Sequence, residues 1–299
     1  MSVELFPVGA PGDGAGGDGV RGDGLIGVAA TGDGAVWFAL SDSGRVGRRD
    51  ADGTLAYLEL GAASQPVGIS TATEDTVWVV DRTGGRLVHV GPGIRVIGET
   101  AVPSADALPL ASVTLPDGTT WFTEAFGDAV GRIDILGCVE EFPVGSEGGP
   151  SGITASGESV WFALQGHRPA LGHVRGGDAA IELVALPLGS GPLGVAVADD
   201  GSVWTALHAA DALARVARDR TVTVLPLEEG ADPFAVVADD AGGVWASLWG
   251  ADALVHVTSS GDLERVDLPD GAGPRGLAVA PDGAVWAALV SGELARVRA

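Results

Sequence analysis

Apolar residues in this chain come in short blocks, alternating or continuous, and polar turns rich in Gly and Asp separate them. The stretch Val244-Trp245-Ala246-Ser247-Leu248-Trp249-Gly250-Ala251-Asp252-Ala253-Leu254-Val255-His256-Val257 shows the skeleton: a tryptophan, an apolar run, a polar turn and a second apolar run. Blocks of this length bounded by turn residues read as β-strands. The skeleton recurs. Trp37, Trp78, Trp121, Trp161, Trp204, Trp245 and Trp286 hold the same place in it, at intervals of 41, 43, 40, 43, 41 and 41 residues. Only Trp249 lies outside the series. A strand-rich repeat of this period fixes the architecture before any single residue does.

Each repeat supplies four strands. In the fifth they are Leu193–Val197, Ser202–Leu207, Leu213–Val216 and Thr221–Leu225, with the turn Asp199-Asp200-Gly201 between the first two. Asp-Gly pairs such as Asp33-Gly34, Asp117-Gly118 and Asp282-Gly283 supply the positive φ angles of tight hairpins. The repeated tryptophans fill the widening space between neighbouring sheets. Seven four-stranded units predict an all-β, seven-bladed β-propeller, one domain spanning 1–299. An open solenoid is the alternative, but it needs capping ends. The ends here predict closure instead. After Trp286 one more block remains, Glu293–Val297, and the missing fourth strand is Ser2–Val8, which matches the mid-chain fourth strand Val139–Val144. The N-terminal strand is therefore expected to complete the last blade and cover its edge.

Two connections are longer than their counterparts. Gly9–Gly24 is rich in Gly and Asp but lacks the EF-hand spacing and its terminal Glu, so it reads as a connector and not a calcium loop. Glu99–Leu110 carries Pro103 and Pro109. Both are candidates for partial lids.

Charge narrows the partners. Forty acidic residues against 17 basic ones give a net charge of -23, a field that repels phosphate backbones and argues against nucleic acid. Every basic residue is Arg, so no lysine is present to form a Schiff base. Cys138 is the only cysteine, which excludes an intrachain disulfide and a Cys-rich zinc site. The start, Met1–Phe6, lacks a signal-peptide pattern, and no stretch approaches the roughly 18 apolar residues of a membrane span. A cytoplasmic monomer with no membrane partner is expected.

In a propeller the first strand of a blade begins, and the second ends, on one face around the axis. Two rings of positions should meet there. The first, opening each first strand, is Ile26, Val67, Leu110, Ser151, Leu193, Phe234 and Arg275. The second lies three or four residues after each tryptophan. At three it reads Leu40, Asp81, Glu124, Leu164, Leu207, Leu248 and Leu289; at four, Ser41, Arg82, Ala125, Gln165, His208, Trp249 and Val290. A mostly apolar hollow with a few convergent polar groups describes a small-molecule site. His208 is the candidate general base, Glu124 the acid or electrostatic partner, and Arg275 the group that holds a carboxylate or enolate. Asp81, Arg82, Gln165, His167, Phe234 and Trp249 complete the expected substrate-binding set. The competing reading is a water-filled axial channel. His89, His173 and His256 fall in third strands where sister blades carry Arg, as at Arg132, and read as scaffold. No metal site is expected: only His167 and His173 are close in sequence, and they fall on different strands.

The phrases Trp121-Phe122-Thr123-Glu124-Ala125-Phe126-Gly127-Asp128-Ala129-Val130-Gly131-Arg132-Ile133, Gly149-Pro150-Ser151-Gly152-Ile153-Thr154 and Phe142-Pro143-Val144 closely resemble the streptogramin B (virginiamycin B) lyases, and the likeness runs through all seven repeats. The resemblance implies the same propeller with the same terminal closure. It also implies an elimination that opens a cyclic depsipeptide at its ester with the help of magnesium, carried on Pro-His-Gly-like motifs of the last two blades. Here those motifs read Asp232-Pro233-Phe234-Ala235 and Gly273-Pro274-Arg275-Gly276, so Phe234 and Arg275 stand where the family has histidines. The family's Glu two residues before the last His falls on Gly273, its further Glu near Leu289 or Val290, and the Tyr of its first blade on Ile26. None of these side chains takes up a proton or binds a metal. The expectation is a family-like propeller without the family mechanism and without a cofactor. It would act on a small polyketide- or peptide-like molecule of secondary metabolism by elimination, isomerisation or cyclisation. The alternative is a non-catalytic propeller that binds a small ligand or a protein. Convergence of the polar set on one cavity separates the two.

Overall fold

Tryptophan and its cross-strand partner set the repeat in three dimensions. A computed structural model of the chain describes residues 1–9, 24–72, 75–145, 148–175 and 180–298. The long Gly/Asp connector therefore lies, over residues 10–23, outside the described residues. In every blade the tryptophan on the second strand faces a cation or histidine on the third: Trp37 with Arg48, Trp78 with His89, Trp121 with Arg132, Trp161 with His173, Trp204 with Arg215, Trp245 with His256 and Trp286 with Arg296. The three histidines stack on their indoles, with ring centroids 4.5, 4.0 and 4.6 Å apart. Arg48, Arg132 and Arg296 lie 5.2–5.8 Å over theirs. Cross-strand pairs of this kind stabilise a sheet, and an indole face attracts a cation. His89, His173 and His256 are thus part of the scaffold.

The strands form seven antiparallel sheets of four. Blade 1 is Leu25–Ala30, Val36–Leu40, Arg45–Arg49 and Leu55–Glu59. Blade 2 is Pro66–Thr71, Val77–Asp81, Arg86–Gly91 and Arg95–Ala101. Blade 3 is Pro109–Thr114, Thr120–Glu124, Ala129–Ile133 and Val139–Pro143, and blade 4 is Pro150–Ser156, Ser159–Leu164, Ala170–Arg175 and Ile181–Ala185. Blade 5 is Pro192–Val197, Val203–Leu207, Ala212–Val216 and Val222–Pro226, with a short 3-10 turn at His208–Ala210. Blade 6 is Pro233–Ala238, Val244–Leu248, Ala253–Val257 and Leu263–Asp267. Blade 7 is Pro274–Val279, Val285–Leu289 and Glu293–Arg298, and its fourth strand is Ser2–Pro7 from the other end of the chain. Phe6 pairs with Leu294 and lies 5.3 Å from the Trp286 ring, so closure buries apolar surface as well as a sheet edge.

The core lies between blades. Each buried cluster joins two neighbours: Trp37 packs with Val77 and Val79 of blade 2, and Trp245 with Leu277 and Val285 of blade 7. At the axis the first strands come so close that a side chain would collide. A Cβ on Gly68 would sit 2.5 Å from the carbonyl oxygen of Leu110 in the next blade. Glycine there is a packing requirement. Blades 3 and 6 have Ala111 and Ala235 at that place, and a hydroxyl bridges instead. The Thr123 hydroxyl donates to Ser151 O at 2.6 Å, and Ser247 to Arg275 O at 2.6 Å.

Candidate functional site

One backbone hydrogen bond, repeated seven times, builds the mouth. The amides of Ser41, Arg82, Ala125, Gln165, His208, Trp249 and Val290 donate to the carbonyls of Gly24, Gln65, Leu108, Gly149, Gly191, Asp232 and Gly273, at 2.9–3.3 Å. Each bond ties the end of a second strand to the segment just before its first strand. The residue four after each tryptophan is thereby held at the level where the first ring begins. Below it the first strands enclose a cavity of about 590 Å³, lined by Ile26, Val67, Leu110, Leu193 and Phe234 at one end and by Ala30, Thr71, Val197 and Val279 farther along their strands.

The residue three after tryptophan has a different fate. Leu40, Asp81, Glu124, Leu164, Leu207, Leu248 and Leu289 are all buried, none above 3% exposed. One residue earlier along a strand means the opposite face, and here that face is the core. The expectation that Asp81 and Glu124 face the mouth is corrected by this burial. Asp81 belongs to the scaffold: Oδ1 accepts from the amides of Gln65 (2.9 Å) and Gly84 (3.1 Å), and Oδ2 from Arg86 Nε at 3.0 Å. Glu124 is sealed in blade 3. Neither of its oxygens meets a donor among the described residues, and burial, with Glu141 adding to it, pushes its carboxyl up to about 7.

Four other members of the expected set come together across blades 5, 6 and 7. The His208 and Trp249 rings stack with centroids 5.9 Å apart and planes 23° from parallel. The Arg275 guanidinium lies 5.1 Å from the Trp249 ring and 6.0 Å from the Phe234 ring. Ser247 aligns the two blades, accepting from the Ala235 amide at 3.0 Å while donating to Arg275 O. Trp249 stays 36% exposed. Arg275 Nε and His208 Nδ1 are buried and have no hydrogen-bond partner among the described residues. Burial pushes the Arg275 guanidinium below its usual range, against the pull of the Asp42 carboxylate. A guanidinium stays charged at any working pH, so this corner holds a partly desolvated cation open to an anion. Arg82, half-buried, and Gln165 and His167, exposed, lie on the blade 2 and blade 4 parts of the rim, away from this cluster.

Sequence reasoning missed two features of the corner. Ser247 looked like any strand residue; its signal was alanine in place of the usual glycine at 235. Gly273 has φ +52°, and a Cβ there would collide with the Val290 side chain and sit 3.2 Å from Trp249 Nε1. Trp249 and Val290 therefore occupy the space that a larger residue at 273 would need.

A magnesium ion, which the resemblance implies, does not fit this donor set. It takes oxygen ligands, most often carboxylates and water. The blade 6–7 corner offers an arginine, two aromatic rings and a glycine, and no group of three or more His, Cys, Asp or Glu able to hold a metal occurs among the described residues. No helix among the described residues is long and apolar enough to cross a membrane.

Comparison with known proteins agrees with this architecture. Three solved structures of streptogramin B or virginiamycin B lyases superpose with a TM-score of 0.88 at 20% identity over 99% of this chain. One covers 96% of the streptogramin B lyase it matches. Another covers 99% of a catalytically inactive histidine-to-alanine virginiamycin B lyase from Staphylococcus aureus, solved with quinupristin. Identity this low speaks for the fold. In sequence, virginiamycin B lyase of Nocardia farcinica (strain IFM 10152) is 34% identical over 201 residues, 67% of this chain and 68% of that protein. The model of the virginiamycin B lyase family matches residues 20–297, nearly the whole propeller, and the chain belongs to that family.

Proposed function

We propose that this family member binds a small organic molecule in the part of its mouth between blades 5 and 7, and that the molecule pairs an anionic group with flat apolar surface. Streptogramin ring opening by the family mechanism is not its reaction. One observation carries this reading. Arg275, half-buried and with its Nε shut off from water and from any partner among the described residues, lies against the faces of Trp249 and Phe234. An anion on the ligand would satisfy the guanidinium, and the two rings would take its apolar body. Polyketide- or peptide-like acids have this chemistry. The arginine, aromatic rings and glycine at this corner, which offer no oxygen ligand for magnesium, and the crowding at Gly273 support the negative half.

Two experiments test it. Native protein, mildly denatured, should release a small anion identifiable by mass spectrometry, and Arg275→Gln protein should release none. Incubation with virginiamycin S and Mg²⁺ should open the ring no faster than buffer; clear turnover would sink the negative half.

A second reading, turnover of that ligand, is favoured by His208. Its unpartnered Nδ1 beside Trp249 is a proton acceptor within the same cluster. Elimination or isomerisation would then use His208 as base and Arg275 to hold the developing anion. Glu124, buried in blade 3, takes no part in it. His208→Ala should keep the ligand bound and stop its conversion; conversion at an unchanged rate leaves binding as the whole function.

A further inference from the structure

Glu124 occupies a place built for leucine. The residue three after the repeat tryptophan is Leu in five blades, and the exceptions are Asp81 and Glu124. Blade 2 accommodates its acid with Arg86, which donates to Asp81 and, at 2.9 Å through Nη1, to Glu99. Blade 3 repeats both acids and drops the cation. Val88 faces Glu99 in blade 2 as Gly131 faces Glu141 in blade 3, but Asp81 faces Arg86 where Glu124 faces Ala129.

The two carboxyl groups of blade 3 therefore have no cation between them where blade 2 has Arg86. In blade 2 one guanidinium spans the corresponding two acids, so Glu141 is the carboxyl nearest Glu124 by register, and its charge helps to raise the Glu124 carboxyl. The Glu141 oxygens accept from the Ser104 amide at 2.9 Å and the Ser104 hydroxyl at 2.7 Å, as a carboxylate does. Adjacent carboxyls in an apolar site share one proton. Glu141 takes the charge, since it holds the bonds from Ser104, and Glu124 takes the proton. The other charged groups on the surrounding elements are committed or exposed. Asp128 accepts from the Gly149 amide at 3.1 Å, Arg132 is paired with Glu140, and Asp106 is exposed on the connection.

Ser104 belongs to the 102–108 connection, which runs over the rim across the mouth from the blade 5–7 corner. The inner end of this connection is fixed independently: Ala107 O accepts from the amides of Phe126 (3.0 Å) and Gly127 (3.3 Å), and Leu108 O from that of Ala125 (3.2 Å). Its exposed outer part, 103–106, has the two Ser104 bonds to Glu141.

We propose that Glu124, Glu141 and Ser104 form a proton-operated latch on this connection. While Glu124 holds its proton it donates to Glu141, and Glu141 stays in place to hold Ser104. When the proton leaves, two charges face each other in a site with no cation; Glu141 swings to solvent and Ser104 is released. The rim of the mouth then loosens at this blade. The environment of Glu124 sets the transition near neutral pH. The latch does not depend on what the mouth binds.

Amide hydrogen exchange tests it. After correction for intrinsic base catalysis, protection at Ser104 and Ala105 should be at least about tenfold lower at pH 8.5 than at pH 5.5 in the wild-type chain. Glu124→Gln, whose amide donates to Glu141 at every pH, should keep the low-pH protection throughout. Glu141→Ala should lack it throughout. Wild-type protection that does not change with pH, or an equal fall in Glu124→Gln, would overturn the proposal. Glu124→Leu, which restores the residue of five sister blades, controls for folding and should also abolish the pH dependence.

Discussion

The two sides of the mouth handle charge in opposite ways. Blades 2 and 3 turn their acids inward, one residue before the mouth level, where they are fully buried. Blades 5 to 7 bring a histidine, an indole and a guanidinium to the mouth itself, and leave polar atoms of two of them unpartnered. The first side uses charge to hold the fold together, completely in blade 2 and incompletely in blade 3. The second keeps a charge that the fold does not use. Groups whose partners are all supplied by the scaffold are poor candidates for binding; groups desolvated without partners are good ones.

The largest expected effect probes the closed acid. Asp81→Ala leaves Arg86 and two backbone amides without their acceptor and should cost about 3 kcal/mol, read from the urea midpoint. A loss below about 1 kcal/mol would mean that Asp81 is not the strut described. Next comes the open acid. The folded state holds the Glu124 proton between the ordinary carboxyl range and about 7, while the unfolded state has already lost it. Stability must therefore fall as pH rises through that window, and the full penalty remains above it. Glu124→Gln should raise stability at pH 8 by up to about 3 kcal/mol and change little at pH 4. Equal effects at both pH values would place the carboxyl in a different environment. A smaller effect concerns crowding at the other side. Gly273→Ala should cost roughly 1–2 kcal/mol, and less on a Trp249→Ala background, because the two share space. Additivity would separate them. The smallest belongs to the open cation: Arg275→Gln removes a group whose Nε has no hydrogen-bond partner among the described residues and should shift stability by no more than about 0.5 kcal/mol.

The fold was legible because its determinants are local and repeated. Tryptophan spacing, Asp-Gly turns and the likeness of Ser2–Val8 to Val139–Val144 each follow from short stretches, and the ring of sheets with its shared last blade follows from them. The blade 5–7 corner was legible in part, because Trp249 and Phe234 break the repeat at mouth positions. Asp81 and Glu124 were misplaced for a definite reason. Strand side chains alternate, and a one-residue choice between three and four after tryptophan decides between core and mouth. The turn residues gave no sign of that choice; five leucines in the same column did. Arg86 facing Asp81, with Ala129 facing Glu124, became visible only with the strand register.

If Arg275 and Trp249 form one ligand site, as proposed, the indole N–H resonance of Trp249 reports on it most directly. It can be assigned among the eight tryptophans with Trp249→Phe protein. Titration with 3-phenylpropanoate should shift that resonance in the wild-type chain. The uncharged 3-phenylpropanamide should act at least about tenfold more weakly, and Arg275→Gln should erase the difference between them. An unmoved Trp249 resonance, or equal responses to acid and amide, would contradict the account.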